Sequence, residues 1–507
     1  MQNHLIRKCS ILIIISFIFI SLFISSSYGS VMNWRIGHTS IERNITIDFA
    51  VRNIGSDDDI TVYLGNDDGT YGNRTDYFIG QEPIMIFSGD FNNDLALDIV
   101  ATNHYTNNMS FLYGYGNGTF REAQNYYVGH TTCGLFPYDF NKDGNLDLAM
   151  ANLNHDNMSV LLGNGDGTFT RFYEHETGNG PYRVLGEDFN HDFNIDLAIT
   201  LAYDEAVSIF LGDGDGSFEY FRDFTVLTNP LDMEIGDFNN DGNMDIITGG
   251  VGSHEVSYLQ GFGNGSFELF GRSVGDDVYD LTSGDYNEDG NLDLAFALWI
   301  DFFRTMRVIF GDGNGSFEGP QDYTCGTFPS TILSADFDND KHIDLGVVCG
   351  SDDNVELFFG DGTGAFHVRI AYPVGRSPRW LITGYFRDFS PYPPTIDGPV
   401  TGKVGRKYTY TLQSSDPKDD DIFYYVDWGD GKFEEWIGPY HSGEEVIVSH
   451  RWWEQGNYSI KVKVRDIYDI ESGWATLEVS MPKTNLLKNY VSFSKISSKI
   501  EKNLNSC

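Results

Sequence analysis

A nine-residue frame recurs six times along this 507-residue chain at a nearly constant interval, and that recurrence restricts the possible folds more than any other feature. It is clearest at Asp139-Phe140-Asn141-Lys142-Asp143-Gly144-Asn145-Leu146-Asp147. Oxygen-bearing side chains stand at positions 1, 3, 5 and 9, glycine at 6 and an apolar residue at 8. The first residues of the frames are Asp90, Asp139, Asp188, Asp237, Asp285 and Asp336, at successive intervals of 49, 49, 49, 48 and 51 residues. A fixed period of this size marks a propeller, solenoid or array, in which each unit buries its apolar face against its neighbour.

Each frame is followed by a short apolar run and a glycine-rich turn, as at Leu162–Phe169, Leu211–Phe218 and Phe310–Phe317. Such turns supply the positive φ that a hairpin needs. The runs Pro83–Phe91, Asp98–Asn103, Met109–Gly114 and Ala123–Gly129 are rich in Val, Ile, Phe and Tyr and predict four short strands per repeat. Helical periodicity is absent after the N-terminus. Four antiparallel strands per unit, set radially, make a propeller blade.

The two ends of the repeat region are incomplete in complementary ways. Residues 34–80 keep Asp48 at the ninth position and the turn Tyr63–Tyr71, but Ser40, Glu42 and Asn44 replace the earlier ligands. Pro378–Phe386 aligns with Pro329–Phe337, with Tyr385 at the first ligand position. The N-terminal part thus offers the last three strands of a unit and the C-terminal part the first. The expected fold is all-β: a seven-bladed propeller closed by N- and C-terminal strands, which leaves no open seam. With Val31–Gly37 as an extra inner strand the count would be eight.

The frame has the ligand spacing of a calcium loop, where a tight turn gathers carboxylates and a backbone carbonyl around a hard cation. The candidate ligand sets are Asp90, Asn92, Asp94 and Asp98; Asp139, Asn141, Asp143, Asn145 and Asp147; and Asp188, Asn190, Asp192, Asn194 and Asp196. They continue with Asp237, Asn239, Asp241, Asn243 and Asp245; Asp285, Asn287, Asp289, Asn291 and Asp293; and Asp336, Asp338, Asp340, His342 and Asp344. Up to six Ca2+ ions are expected, one per loop. Position 6 is glycine in three loops and Leu95, Phe193 or Lys341 in the others, a substitution that is costly if the position needs positive φ. The apolar residues at position 8 (Leu97, Leu146, Ile195, Met244, Leu292 and Ile343) are expected to point into the blade core. The chain carries a formal net charge of −41, which bound cations would offset and which excludes nucleic acid as a partner.

These residues resemble the FG-GAP repeats of integrin α-subunit propellers and the related, VCBS-like repeats of secreted microbial proteins, over residues 34–390. The resemblance implies the propeller and the calcium, and leaves ligand and activity open. After the proline-rich stretch 388–394 the period stops. Residues 395–482 alternate apolar and polar residues in about seven short runs, as an Ig-like sandwich would. Val426-Asp427-Trp428-Gly429-Asp430-Gly431, with His450-Arg451-Trp452 and Gly456–Ile460, resembles a PKD domain, a spacer and adhesion module of surface proteins and secreted enzymes.

The N-terminus, with Arg7 and Lys8 before the apolar stretch Ile11–Ile24 and small residues up to Gly29, has the pattern of a secretory signal peptide spanning 1–29. The domain plan is therefore signal peptide 1–29, propeller 30–390, linker 391–394, PKD-like sandwich 395–482 and a basic tail 483–507. No transmembrane span is expected in the mature chain. Cys133, Cys325, Cys349 and Cys507 are too few for a disulfide scaffold; with Cys349 placed opposite Thr331, a bridge to Cys325 is not expected. Eight Asn-x-Ser/Thr sequons, at Asn44, Asn73, Asn108, Asn117, Asn157, Asn264, Asn314 and Asn457, permit glycosylation.

Signatures of phosphate loops, nucleophile elbows and zinc sites are absent. His104, His155 and His254 follow their loops in different registers and read as scattered loop residues. The expected function is a secreted or cell-surface calcium-binding propeller that recognises an extracellular protein or carbohydrate, as in cell adhesion. A secreted polysaccharide- or lipid-degrading enzyme is the alternative, and a surface-layer component without a discrete ligand a third. The first two differ in what they require on the axis of the ring. An enzyme needs a deep polar pocket holding His, Arg or Lys beside a carboxylate, whereas an adhesin needs only a shallow face.

Overall fold

The computed structural model describes residues 46–481, apart from 55–58, 67–68, 95, 105, 129–131, 228, 251–254, 274–276, 300–303, 388–390, 417–419 and 468–470. The expected signal peptide, Val31–Gly37, Leu95, His254 and the basic tail lie outside the described residues. The chain divides into two compact units, residues 1–387 and 388–507.

Within the first unit the β-propensity of the short apolar runs is realised throughout. The described residues contain no α-helix and a single 3-10 turn, Leu153–His155. They form seven four-stranded antiparallel sheets. In six of these the strands follow chain order, as in Pro83–Gly89, Asp98–Asn103, Asn108–Leu112 and Gln124–Tyr127. The seventh joins the two ends of the repeat region: Pro378–Gly384 pairs with Asp48–Asn53, followed by Asp59–Tyr63 and Thr75–Phe78. The leading strands Pro83–Gly89, Thr132–Tyr138, Pro181–Glu187, Pro230–Gly236, Asp277–Gly284, Pro329–Ala335 and Pro378–Gly384 touch one another in series, and the last touches the first.

Burial is graded across each sheet. The second strands, such as Asp98–Asn103 and Asp196–Leu201, are buried along their whole length. That is why they read as unbroken apolar runs and not as alternating ones. The fourth strands, such as Phe218–Thr225, are mostly exposed. Side chains from facing sheets interlock into shared cores; one includes Phe136, Leu185, Leu197, Ile209, Met233 and Ile246.

Pairing is irregular near the start of each leading strand. Pro83 faces Asn103 while Met85 faces Thr102, and Pro329 faces Cys349 while Thr331 faces Val348. Comparable breaks occur in the other leading strands. Each is a β-bulge, which re-aims the extra side chain and sharpens the twist. The bulge at Ser330 corrects the sequence-based register: Cys349 lies opposite Pro329, not Thr331. Cys133, Cys325 and Cys349 are buried and unbridged.

The second unit is built from two sheets. Thr395–Asp397, Tyr408–Gln413 and Val446–His450 form one; Phe433–Tyr440, Ile422–Asp427, Gly456–Arg465 and Ala475–Met481 form the other. Alternate residues of Ile422–Asp427 and Gly456–Arg465 point inward onto Trp428 and Trp452, which are both buried. The Trp452 Nε1–H donates to the Trp428 carbonyl at 3.2 Å. The His450 ring stacks on Trp428 and its Nε2 meets Asp430 at 2.9 Å. Of the residues that carry the PKD resemblance, Val426, Trp428, Trp452 and Ile460 lie in the core of this unit.

Candidate metal centres

The six loops share one hydrogen-bond plan. In the Asp139 loop, Asp139 Oδ1 accepts from the Asp143 N–H at 3.0 Å and Oδ2 from the Gly144 N–H at 2.8 Å. Asn141 Oδ1 accepts from the same Asp143 N–H at 2.9 Å, and Asp143 Oδ1 from the Asn145 N–H at 2.8 Å. The loops beginning at Asp188, Asp237, Asp285 and Asp336 repeat these contacts. In the first loop Asp90, Asn92 and Asp94 make the corresponding bonds to the Asp94 and Ala96 N–H groups. Side chains at positions 1, 3 and 5 are thereby turned inward by their own backbone. A carboxylate oxygen has two acceptor sites, so one amide bond leaves capacity for a cation.

The donor set suits a hard cation. In the last loop, oxygens of Asp336, Asp338 and Asp340 lie within 4.8 Å of one another. Calcium–oxygen distances of about 2.3–2.6 Å allow ligands on opposite sides of one ion to be about 5 Å apart. In the other loops Asn at position 3 replaces the middle carboxylate with an amide oxygen of the same hardness. Burial, then the neighbouring carboxylates, raises Asp336 and Asp338 above the usual range, and a nearby cation would act in the opposite sense.

Position 6 has positive φ in every described loop: Gly144 at 94°, Gly242 at 85°, Gly290 at 88°, Phe193 at 68° and Lys341 at 79°. A Cβ on any of the three glycines would meet nothing within 4 Å, so the preference for glycine there is conformational and not steric. Position 4 is also left-handed, at Asn93, Lys142, His191, Asn240, Glu288 and Asn339. Lys, His and Glu gave no sequence signal of this.

The ninth-position aspartates have a further task. Asp98, Asp147, Asp196, Asp245, Asp293 and Asp344 are fully buried. One oxygen of each accepts from the aromatic N–H at position 2, as Asp147 Oδ2 does from Phe140 at 2.9 Å. The other accepts from a glycine N–H at or just past the end of the third strand, as Asp147 Oδ1 does from Gly163 at 2.8 Å. Burial outweighs these bonds and pushes Asp98 and Asp344 up to about 8 and Asp147 up to about 7. Asp48 performs the same duty in the chain-joining sheet, accepting from Gly65 and, across the two ends of the chain, from Phe386, both at 2.8 Å.

From the second loop on, side chains at position 7 reach the preceding loop at position 4, and Asn243 also donates from Nδ2 to Asp241 Oδ1 of its own loop at 2.9 Å. Asn93 Nδ2 donates to Asn145 Oδ1 and Lys142 Nζ to Asn194 Oδ1, each at 2.7 Å. His191 Nε2 meets Asn243 Oδ1 at 3.1 Å, Asn240 Nδ2 donates to Asn291 Oδ1 at 2.8 Å, and His342 Nδ1 meets Glu288 Oε1 at 2.6 Å. The six loops are linked into a chain, and position 7 can offer a cation its backbone carbonyl as well as its side chain. Position 8 lies between sheets and not inside one. A Cβ on Gly89 would strike Leu146, one on Gly236 would strike Leu292, and one on Gly384 would press on Leu97. Of the histidines, His104 lines a cavity in this unit and His155 sits in the 3-10 turn.

Fold and loops together define a propeller-like all-β protein built on FG-GAP-like repeats. The model of the FG-GAP-like repeat matches residues 90–150, 139–199, 188–248 and 285–347, segments that contain all six loops. Among solved structures, a protein from Lactobacillus plantarum aligns with 67% of this chain and 99% of its own at 13% identity and a TM-score of 0.51. A functionally unknown protein from Desulfotomaculum acetoxidans aligns with 67% of this chain and 98% of its own at 12% identity and a TM-score of 0.49. The PKD domain of an M14-like peptidase from a Thermoplasmatales archaeon aligns with 19% of this chain and 99% of its own at 52% identity, with a TM-score of 0.19. No curated protein matches the chain. Among the described residues no helix is long and apolar enough to cross a membrane.

Proposed function

We propose that this chain is an exported, calcium-stabilised, seven-bladed propeller, closed by its own two ends and followed by a PKD-like domain, that recognises an extracellular protein or carbohydrate. The observation that carries the calcium is the plan shared by the six loops, in which backbone amides turn the oxygens at positions 1, 3 and 5 toward one another. Closure is supported by the sheet that pairs Pro378–Gly384 with Asp48–Asn53 and by Asp48 bonding both Gly65 and Phe386. Export is the context in which millimolar calcium could fill such loops, and the pattern of residues 1–29 favours it. The ions would lower self-repulsion in so acidic a chain and stabilise the fold by mass action.

The test is elemental analysis of the purified chain together with melting in calcium and in chelator. Calcium at up to six per chain, with a melting temperature lowered by at least about 5 °C and faster proteolysis in chelator, is the expected result. An unchanged melt would refute structural calcium. Recognition is tested by binding to arrays of glycans and extracellular matrix proteins.

A secreted enzyme gains support from one observation. The first unit has a cavity at the start of its leading strands, lined among others by Arg52, Arg379 and His104 with Asp232 and Asp280. This is the composition that distinguishes an enzyme or small-molecule binder from a flat adhesive face. A screen for polysaccharide depolymerisation decides whether catalysis occurs there.

A further inference from the structure

The cavity encloses about 330 Å³. It lies at the start of the leading strands, whereas the metal loops follow their ends: Pro83–Met85 line the cavity and Asp90 begins a loop after the same strand. The bulges build it. The extra residues they insert include Cys133, Tyr182, Tyr279, Ser330 and Arg379, all of which line the space. One structural position, repeated around the unit, thus carries a cation in the chain-joining sheet alone.

Arg379 is not isolated. Arg52, on the strand paired with it, lines the same space and is 6% exposed. Its Nη1 donates to the Pro83 carbonyl, and its Nε has no hydrogen-bond partner. Arg379 stacks on the Phe328 ring at 4.3 Å, and its buried Nη1 has no partner either. Among the described residues neither guanidinium has a carboxylate partner. Burial, and to a smaller degree Arg379, depresses Arg52 to about 9.

Of the three acidic groups that line the cavity, Glu82 is partly exposed and the two buried ones are engaged elsewhere. Asp232 pairs with Arg183 at 3.1 Å, and its other oxygen accepts from the Leu281 N–H at 3.2 Å. Asp280 accepts from the Ile332 N–H at 2.8 Å, and burial and the neighbouring Asp232 favour its neutral form. Arg183 lies over the Trp380 ring at 4.8 Å. The space therefore has two uncompensated guanidiniums at one side and a largely apolar and aromatic wall, the composition of a pocket for a small organic anion. Guanidiniums present paired N–H donors that match a carboxylate, and a single carboxylate can accept from both. The volume, at the small end of ligand pockets, admits a molecule of monosaccharide size.

We propose that this cavity binds a small organic carboxylate, up to the size of a sugar acid, whose carboxylate bridges Arg52 and Arg379 while its body lies against Trp380 and the bulge tyrosines. The site is at the opposite end of the strands from the metal loops and does not depend on them.

The experiment uses the full chain in calcium-containing buffer, with acetate, lactate and D-galacturonate as probes and D-galactose and inorganic phosphate as comparisons. Binding is read by calorimetry and by thermal melting. At least one carboxylate should raise the melting temperature by about 2 °C or more at saturation, with no shift from galactose or phosphate. Arg379→Gln and Arg52→Met should each weaken binding about tenfold or more. Without ligand, Arg52→Met should melt no lower than the parent chain, because it removes a buried cation that has no counter-ion. Failure of all three carboxylates to bind, an equal response to galactose, binding of phosphate alone, or binding that survives both substitutions would overturn the proposal. So would a lower ligand-free melt of Arg52→Met, which would make Arg52 a structural cation. If that variant fails to fold, Arg379→Gln decides, since Arg379 is only partly buried and its one hydrogen bond, from Thr331 Oγ1, goes to its backbone carbonyl.

Discussion

At the scale of single residues, sixth loop positions report a conflict between side chain and backbone. Phe193 sits at φ 68° and is 88% exposed, so it bears left-handed strain with little packing in return. An L-residue in that region costs about 1–2 kcal/mol, part of which glycine's greater unfolded-state entropy offsets. Phe193→Gly is expected to stabilise the protein by about 0.5–1 kcal/mol in chemical denaturation, and to tighten calcium binding at that loop if the ion shares the folded conformation. Glu234 gives a pH dependence. Burial, then Asp232, pushes its carboxyl up to about 8 from an ordinary value near 4.5. A raised acid contributes stability that is complete below its unfolded pKa and is lost as pH rises through the folded one. Between about pH 4.5 and 8 the parent chain should therefore lose stability that Glu234→Gln retains. The variant's advantage should be small at pH 5 and on the order of 1–3 kcal/mol at pH 9, discounted for the partial exposure of the side chain. Equal pH profiles for the two chains would show that Glu234 is solvated.

At the scale of elements, each unit is held by an aspartate at one end of its second strand and a glycine at the end of its third. Gly163 donates its N–H to Asp147, and a Cβ there would collide with the carbonyl oxygen of Leu146. Its equivalents Gly114, Gly212, Gly261, Gly311 and Gly360 meet the same obstacle at the eighth position of their own loops. Gly163→Ala is expected to cost about 2 kcal/mol or more, because the clash is with backbone, and the loss should appear in the melt with calcium present or absent. Loop, glycine and strand order were legible in the residues because they are local and repeat at a fixed interval. The link between position 4 of one loop and position 7 of the next was not. Its partners, such as Asn93 and Asn145, are 52 residues apart, and although position 7 is Asn in four loops, position 4 changes between Asn, Lys, His and Glu. The register opposite Cys349 was missed for a related reason: no Gly or Asp marks the bulge at Ser330.

At the scale of the whole molecule, the sheet that joins the two ends of the repeat region serves both closure and the proposed anion site. Deleting residues 378–387 would leave Asp48–Asn53 as an open edge and remove the acceptor relation between Asp48 and Phe386. That chain is expected to be aggregation-prone and to lose the cooperative melt of the parent, while one cut after residue 387 should keep the first unit's transition. Calorimetry and size-exclusion chromatography of the two truncations compare them directly.

The order of strands, the identity of the loops and the complementary character of the two ends follow from the residues alone, since period, turn chemistry and ligand spacing are properties of neighbours along the chain. The cavity did not follow from them. Arg52 and Arg379 belong to opposite ends of the repeat region, and each by itself reads as an ordinary surface cation. Only strand pairing across those ends, with a bulge at Arg379, brings the two guanidiniums to one cavity. A contact of that kind depends on where distant segments meet in three dimensions, which local spacing does not encode.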